Sequence, residues 1–392
     1  MSSTTLFFLR FLLVVLGVHA FMHYYFWRRM VKDPGFRRPA QHIGTASTII
    51  LFLLLPTSRI LAKQFSFQQV FPLLWFAYLW LGILMLFFFF FLFSDILKVF
   101  LYASRRLFSN KQQVPDPNRR RFLAQSLASS ASVLVLGTSG FGIKKCIDPP
   151  TVNRLPIKIS GLPSAFQGFS IVQISDIHIG AMSMRTELAE IVAIVNSLQP
   201  DIIAITGDLV DGNAAELANE LAPLAGLKAR HGVFFVTGNH EYYSGVEKWL
   251  PEIEQLGITI LNNARTEIVH GNEKIILAGV TDHQAGKFGE EHAPDYEKTL
   301  GGILATRKVI LLAHQPRAVE KAARYGVDLV LSGHMHGGQI WPFRYLVPLQ
   351  QPYIKGFYQQ DNTLLYVNQG TGYWGPPMRV GTYKEISQFI LS

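Results

Sequence analysis

The sequence predicts a layered α/β domain preceded by four transmembrane helices. Three observations predict it. Four apolar stretches fill residues 1–146. Short apolar runs alternate with amphipathic stretches from residue 169 onward. The basic residues gather between the apolar stretches: residues 1–146 carry 17 Lys and Arg against three acids, Asp33, Asp95 and Asp116. The rest of the 392-residue chain is net negative, so the overall +9 belongs to the membrane half. Such a distribution is a topology signal, and the acidic folded half offers no basic groove for a nucleic acid. A single cysteine, Cys146, permits no internal disulfide.

The apolar stretches cover about 5–27, 43–61, 70–93 and 122–143. A helix needs roughly 20 residues to cross the hydrocarbon core, and only helices or closed barrels satisfy their backbone there. Between the first two lie Arg28, Arg29, Lys32, Arg37 and Arg38; between the second and third lie only Arg59 and Lys63. The third loop holds Lys98, Arg105, Arg106, Lys111, Arg119, Arg120 and Arg121. The positive-inside rule then puts both chain ends outside, in a multi-pass protein whose large C-terminal domain is extracytoplasmic. Asn118-Arg119-Arg120-Arg121-Phe122-Leu123 resembles the bacterial twin-arginine export signal, which implies the bacterial inner (cytoplasmic) membrane. A plain arginine cluster at the inner end of a span reads equally well, and both readings put the domain on the same side.

Residues 147–168, with Asp148-Pro149-Pro150, read as a linker leading into the domain at 169–392. Strands are predicted at 169–175, 201–206, 233–237, 258–261, 274–280, 308–313, 328–331, 364–368 and 385–391. Helices are predicted at 185–198, 214–227, 246–256 and near 317–325. The helical stretch at 185–198 repeats apolar residues at Leu188, Ile191, Val192 and Val195, one face of a 3.6-residue period. Strand–helix alternation of this kind argues a layered α/β architecture.

Polar residues cluster directly after the apolar strands, where α/β proteins build their sites. In order these are Asp176-Ile177-His178, Gly207-Asp208, Gly238-Asn239-His240-Glu241, His314, and Gly333-His334-Met335-His336. Carboxylate, imidazole and amide oxygen are ligand types that suit Mn, Fe or Zn. Any one motif has a bland alternative: a turn, a cap, a hydrogen-bonded core histidine. Five in series, each at a strand end, point to a metal site.

This series resembles the calcineurin-like metallophosphoesterases, over residues 170 to about 380. The tail Gly370-Thr371-Gly372-Tyr373-Trp374-Gly375-Pro376-Pro377-Met378-Arg379 is similar to that family's bacterial membrane-anchored or exported branch. The resemblance implies a four-layer α-β-β-α sandwich, phosphoester hydrolysis and two divalent metal ions per chain. It implies Asp176, His178, Asp208 and His336 around one ion, and Asp208, Asn239, His314 and His334 around the other, with Asp208 bridging. A carboxylate suits that place because each oxygen can take one of two ions roughly 3.5–4 Å apart, and such a pair lowers the pKa of water. His240 is implied beside the phosphate, as a catalytic group with Asp208. Asp211 reads either as a residue orienting a ligand or as the N-cap of the following helix.

After the last histidine comes a Pro-broken aromatic loop, 339–358, with Trp341, Phe343 and Tyr345. It reads either as a substrate loop for an acyl chain or membrane surface, where Trp and Tyr are favoured, or as a cover over the sheet edge. The expected substrate is accordingly a phosphoester, of a lipid or envelope component, cleaved as a diester. The sequence leaves the oligomeric state open.

Overall fold

The computed structural model describes residues 3–108, 116–180, 185–349 and 351–392, in two compact units, Met1–Gly142 and Ile143–Ser392. The first unit is helical: α1 (Ser3–Trp27), α2 (Arg38–Leu61), α3 (Phe67–Phe108) and α4 (Pro117–Ile147), which runs on into the second unit. Among the described residues, three helices are long and apolar enough to cross a membrane, at Arg38–Leu61, Gln69–Ser104 and Pro117–Ile147. Four were expected. The remaining one, 5–27, falls in α1, part of whose side chains lie outside the description.

Helix α3 also runs further than expected, through Asp95 and Lys98. Its 42 residues make it about 60 Å long at roughly 1.5 Å per residue, twice the hydrocarbon core. The third loop's basic residues at 98, 105 and 106 therefore continue a helix, while Lys111 lies outside the described residues. Inside the unit, Arg29 pairs with Asp95 and, at 2.9 Å, with Asp33, and the Tyr25 hydroxyl donates to Asp95. Buried charge in such a bundle is costly unless paired in this way.

The second unit starts from two six-stranded mixed sheets. The strands are β1 (Thr151–Ile157), β2 (Ser170–Ile174), β3 (Ile179–Gly180), β4 (Ile202–Thr206), β5 (Val210–Asp211), β6 (Val233–Val236) and β7 (Thr259–Ile260). They continue as β8 (Ala264–His270), β9 (Glu273–Gly279), β10 (Val309–Leu312), β11 (Leu329–Ser332), β12 (Gly356–Gln360), β13 (Thr363–Val367) and β14 (Glu385–Leu391). One sheet runs β1-β14-β2-β4-β6-β7 and the other β12-β13-β11-β10-β9-β8, with β3 and β5 paired separately. In the first sheet only β14 and β2 are antiparallel; in the second, only the β12–β13 and β8–β9 edges are.

Strand periodicity explains how the sheets bury both faces. In β9 the side chains of Ile275 and Leu277 enter one apolar cluster, and those of Ile276 and Ala278 another. The first cluster joins Ile171, Ile202, Ala204 and Val236 of one sheet to Leu277, Ile310, Leu312 and Leu331 of the other. The second gathers Leu311, Val330 and Leu365 with Val319 and Ala322. Each fully buried Leu or Ile contributes roughly 1.5–3 kcal/mol, so this shared core fixes the strand ends that carry the polar motifs.

Helix α5 (Arg185–Ser197) forms as its spacing predicts, burying Leu188, Ile191, Val192 and Val195. The helix predicted over 214–227 is instead one turn, α6 (Ala214–Leu217), followed by a tighter helical run to Gly226. Pro223 lies inside that run and cannot donate an α-helical hydrogen bond. Near 317–325 likewise only Val319–Ala322 is α-helical. The linker at 147–168 is more than a linker: β1 lies there, parallel to β14 over seven residue pairs. Strands β8 and β12 were not anticipated either, and β12 takes the last three residues of the aromatic loop, 356–358.

Candidate metal centre

The five motifs all follow the C-terminal ends of strands: β2, β4 and β6 in one sheet, β10 and β11 in the other. Each strand ends in an abrupt turn. Asp176, His178, Asp208, His334 and His336 have φ between 47° and 74°, in the left-handed region that side chains other than glycine avoid. Five of the seven expected ligands thus sit on strained backbone, the kind of strain that clusters at functional sites. Close approach accounts for two glycines. A Cβ on Gly238 would fall 2.2 Å from Asp208 Oδ1, and one on Gly333 would fall 2.2 Å from Asp176 Oδ2.

The side chains converge into three groups, each with its donor atoms within 4.8 Å of one another: Asp176, His178 and His336; His178, Asp208 and His240; Asp208, His314 and His334. Asp208 Oδ2 lies 3.0 Å from His314 Nε2 and 3.8 Å from His178 Nε2, between the outer two groups. His178 Nε2 is 3.1 Å from His336 Nε2, and His334 Nδ1 is 3.2 Å from His314 Nε2. The amide oxygen of Asn239 is buried with no hydrogen-bond partner. A buried acceptor left in that state is costly unless something binds it. Facing imidazole nitrogens and an orphaned amide oxygen fit divalent cations.

Surrounding groups hold the donors in place. His314 Nδ1 donates to the Thr206 carbonyl at 2.7 Å, which turns Nε2 towards Asp208. The His334 N–H donates to both oxygens of Asp176, at 2.9 and 3.0 Å, and the His240 N–H donates to Asp208 Oδ1 at 2.9 Å. His240 Nδ1 lies 2.5 Å from Asp211 Oδ1, leaving Nε2 for the site. Asp211 is not a helix cap; that place belongs to Asn213, which accepts from the Ala215 N–H at 3.1 Å.

Burial would raise the Asp208 carboxyl, but the charge of His314 and His240 overrides it and holds Asp208 well below its usual range. Burial would lower His240, but Asp208 and Asp211 push it up to about 9. Asp211 is in turn held low against burial by His178 and His240. His334, buried beside a charged His314, drops to about 3 and is a neutral donor at pH 7. Protons and cations thus compete for the same negative centre.

Two residues not singled out in the sequence reading complete the support. Glu241 is fully buried and accepts from four backbone N–H groups: Gly238 at 2.6 Å, Leu209 at 2.7 Å, Asp208 at 3.0 Å and Val210 at 3.2 Å. It holds the Asp208 turn against the Asn239 turn. Its place in Gly-Asn-His-Glu was the available signal. Arg379 is also fully buried and donates to the carbonyls of Gln369, Gly370, Gly372 and His336. Of the predicted loop residues, Trp341, Phe343 and Tyr345 are 50%, 42% and 62% exposed. Gln339, at the base of the loop, donates to the carbonyls of Trp374 and Pro376, and the Trp374 ring lies 5.5 Å from that of His240.

A fold of this kind, with Asp and His converging from the strand ends of two sheets, defines a metallophosphoesterase. The chain belongs to the calcineurin-like phosphoesterase family, whose model matches residues 169–338. It is similar to a zebrafish (Danio rerio) transmembrane protein with a metallophosphoesterase domain, 33% identical over all of this chain and 91% of that one. A metallophosphoesterase of Helicobacter pylori is 38% identical over 70% of this chain and 73% of its own length. One from Bacillus subtilis is 33% identical over 70% and 97%. The protein is a phosphoric ester hydrolase of this family, and its apolar helices and full-length transmembrane relative mark it as a membrane protein.

Proposed function

We propose that the chain is a dinuclear metal-dependent phosphodiesterase acting on a lipid or envelope-derived phosphoester at the outer face of a membrane. The observation that carries the dinuclear part is the position of Asp208 between two separate donor groups. Asp176, His178, Asp208 and His336 would hold one ion, and Asp208, Asn239, His314 and His334 the other. The thiolate-free set of nitrogen and oxygen donors suits Mn, Fe or Zn. Bound ions supply Lewis acidity and lower the pKa of water. His240 acts from Nε2 on the phosphate, stabilising developing charge or protonating the leaving oxygen, and Asp211 orients its ring. The expected four-layer stacking is supported by the apolar cluster that the two sheets share.

The lipid part rests on the loop after His336. Trp341, Phe343, Tyr345, Leu346 and Leu349 are exposed together, with Leu349 at 86%. Exposed apolar side chains concentrated in one loop in this way favour a binding or membrane site. The outward orientation rests on the loop charges, the four-span count on the four apolar stretches, and the bacterial inner membrane on Arg119–Arg121.

Detergent-solubilised full-length protein tests the substrate reading in mixed micelles. Turnover of a short-chain lipid phosphodiester should rise sharply above its micelle point. Joint W341A and F343A substitution should cut the ratio of micellar to small-diester turnover by about fivefold or more. Equal losses on both substrates would make the loop structural.

A further inference from the structure

We propose that Arg344 and Lys355 form a cation pair that binds a second, non-scissile phosphate of the substrate. The inference rests on the phosphoesterase reading above and adds a substrate class to it: compounds with two phosphate groups.

Both residues belong to the segment after His336, and both bracket the same short stretch of backbone. His336, Gly337, Gly338 and Gln339 run in sequence through positive φ, at 47°, 60°, 76° and 34°. This brings the loop back across its own start. Arg344 lies against Gly338, where an added Cβ would fall 2.3 Å from the Arg344 Cβ. Lys355 Nζ donates to Gln369 Oε1 at 3.3 Å, the same atom that an added Cβ on Gly337 would meet at 2.8 Å. The next residue, Gly370, lies against His336: a Cβ there would fall 3.0 Å from His336 Nδ1. Through Gly338 and through Gln369 beside Gly337, the two cations therefore stand by backbone one and two residues beyond His336, on that side of the metal centre.

Neither has a carboxylate within 4 Å among the described residues, although both are only partly exposed. The Arg344 guanidinium lies 5.1 Å from the centre of the Tyr345 ring, which orients it without neutralising it. Burial and the Arg344 charge both push the Lys355 ammonium below its ordinary pKa, against the pull of buried Glu385. The Arg344 guanidinium repels the Lys355 ammonium, and among the described residues neither is ion-paired, so an anion lying between them would relieve that repulsion. Arginine and lysine side by side are the donors that phosphate recognition uses. The aromatic residues flank the same segment, so an amphiphile could place its chain on Trp341 and Phe343 and its second phosphate on this pair.

The test uses full-length protein in detergent with excess Mn, and reads inhibition of bis(4-nitrophenyl) phosphate hydrolysis. Four probes are compared: decyl phosphate, decyl diphosphate, inorganic phosphate and inorganic diphosphate. Decyl diphosphate should inhibit at least tenfold more tightly than decyl phosphate. In R344Q/K355Q that ratio should fall close to one, with metal content per chain unchanged by elemental analysis. A tenfold tighter hold on decyl diphosphate than on inorganic diphosphate assigns the second phosphate to a lipid; equal inhibition assigns it to a soluble diphosphate. A ratio that survives in the double variant, or is absent from the wild type, would overturn the cation pair. Loss of inhibition by both decyl compounds, with hydrolysis intact, would defeat the lipid reading as well, so the two failures are distinguishable.

Discussion

His178 and His336 come from different sheets, and their Nε2 atoms face each other at 3.1 Å. A neutral pair can share one hydrogen across that gap, while a cation can take both lone pairs. Asp176 stands 3.5 Å from His336 Nε2 to complete the group. Replacing one member should therefore empty this place and leave the other. H336A is expected to lose one of two ions by elemental analysis and to lower kcat by at least a hundredfold. Full retention of metal would show that the two imidazoles meet for another reason.

Asp208 joins the two groups, so D208N should be the most damaging single change. It removes the charge that both places share and leaves only one oxygen. Turnover should fall at least a thousandfold on every substrate, monoester or diester alike. Loss confined to one substrate class, in a kinetic comparison of both, would contradict the bridging place.

His240 and Asp211 separate binding from turnover. H240A should keep its metal content and lose roughly 10²–10⁴ in kcat, the usual worth of a positioned acid–base group. D211N leaves the imidazole in place but loosens its orientation, so kcat should fall less and KM should change little. If H240A also empties the site, the residue is a ligand.

Much of this centre was legible because its chemistry is local. Asp176, His178, Asp208, Asn239, His314, His334 and His336 each follow an apolar strand, and residue type limits what such a cluster can do. What support each receives was not legible. Glu241 acts through four backbone N–H groups whose convergence exists only after β4 and β6 pair. Arg379 works through the carbonyls of His336, Gln369, Gly370 and Gly372, which meet around it only in the folded chain. Among the elements, β8 was missed because only Ile268 of its residues is fully buried, which weakens the alternation. Strand β12, an edge strand with no fully buried residue, was hidden inside an aromatic loop. The stretch 214–227 has helical apolar spacing, but Pro223 lies inside it and cannot donate an α-helical hydrogen bond.

Glu241 gives a stability prediction. E241Q exchanges an acceptor oxygen for an amide donor against backbone N–H groups that are already donors. With buried hydrogen bonds to charged groups worth about 1.5–3 kcal/mol, unfolding in denaturant should show a loss of about 2–4 kcal/mol. Wild-type stability would mean that water replaces the carboxylate.

The metal stoichiometry of the purified full-length protein, measured by elemental analysis beside its hydrolysis of bis(4-nitrophenyl) phosphate, tests the central claim most directly. Two transition-metal ions per chain, with activity that disappears on chelation and returns with Mn, Fe or Zn, is the predicted result. Full activity in a chain stripped of metal, or one ion per chain at saturating metal, would contradict a dinuclear centre bridged by Asp208.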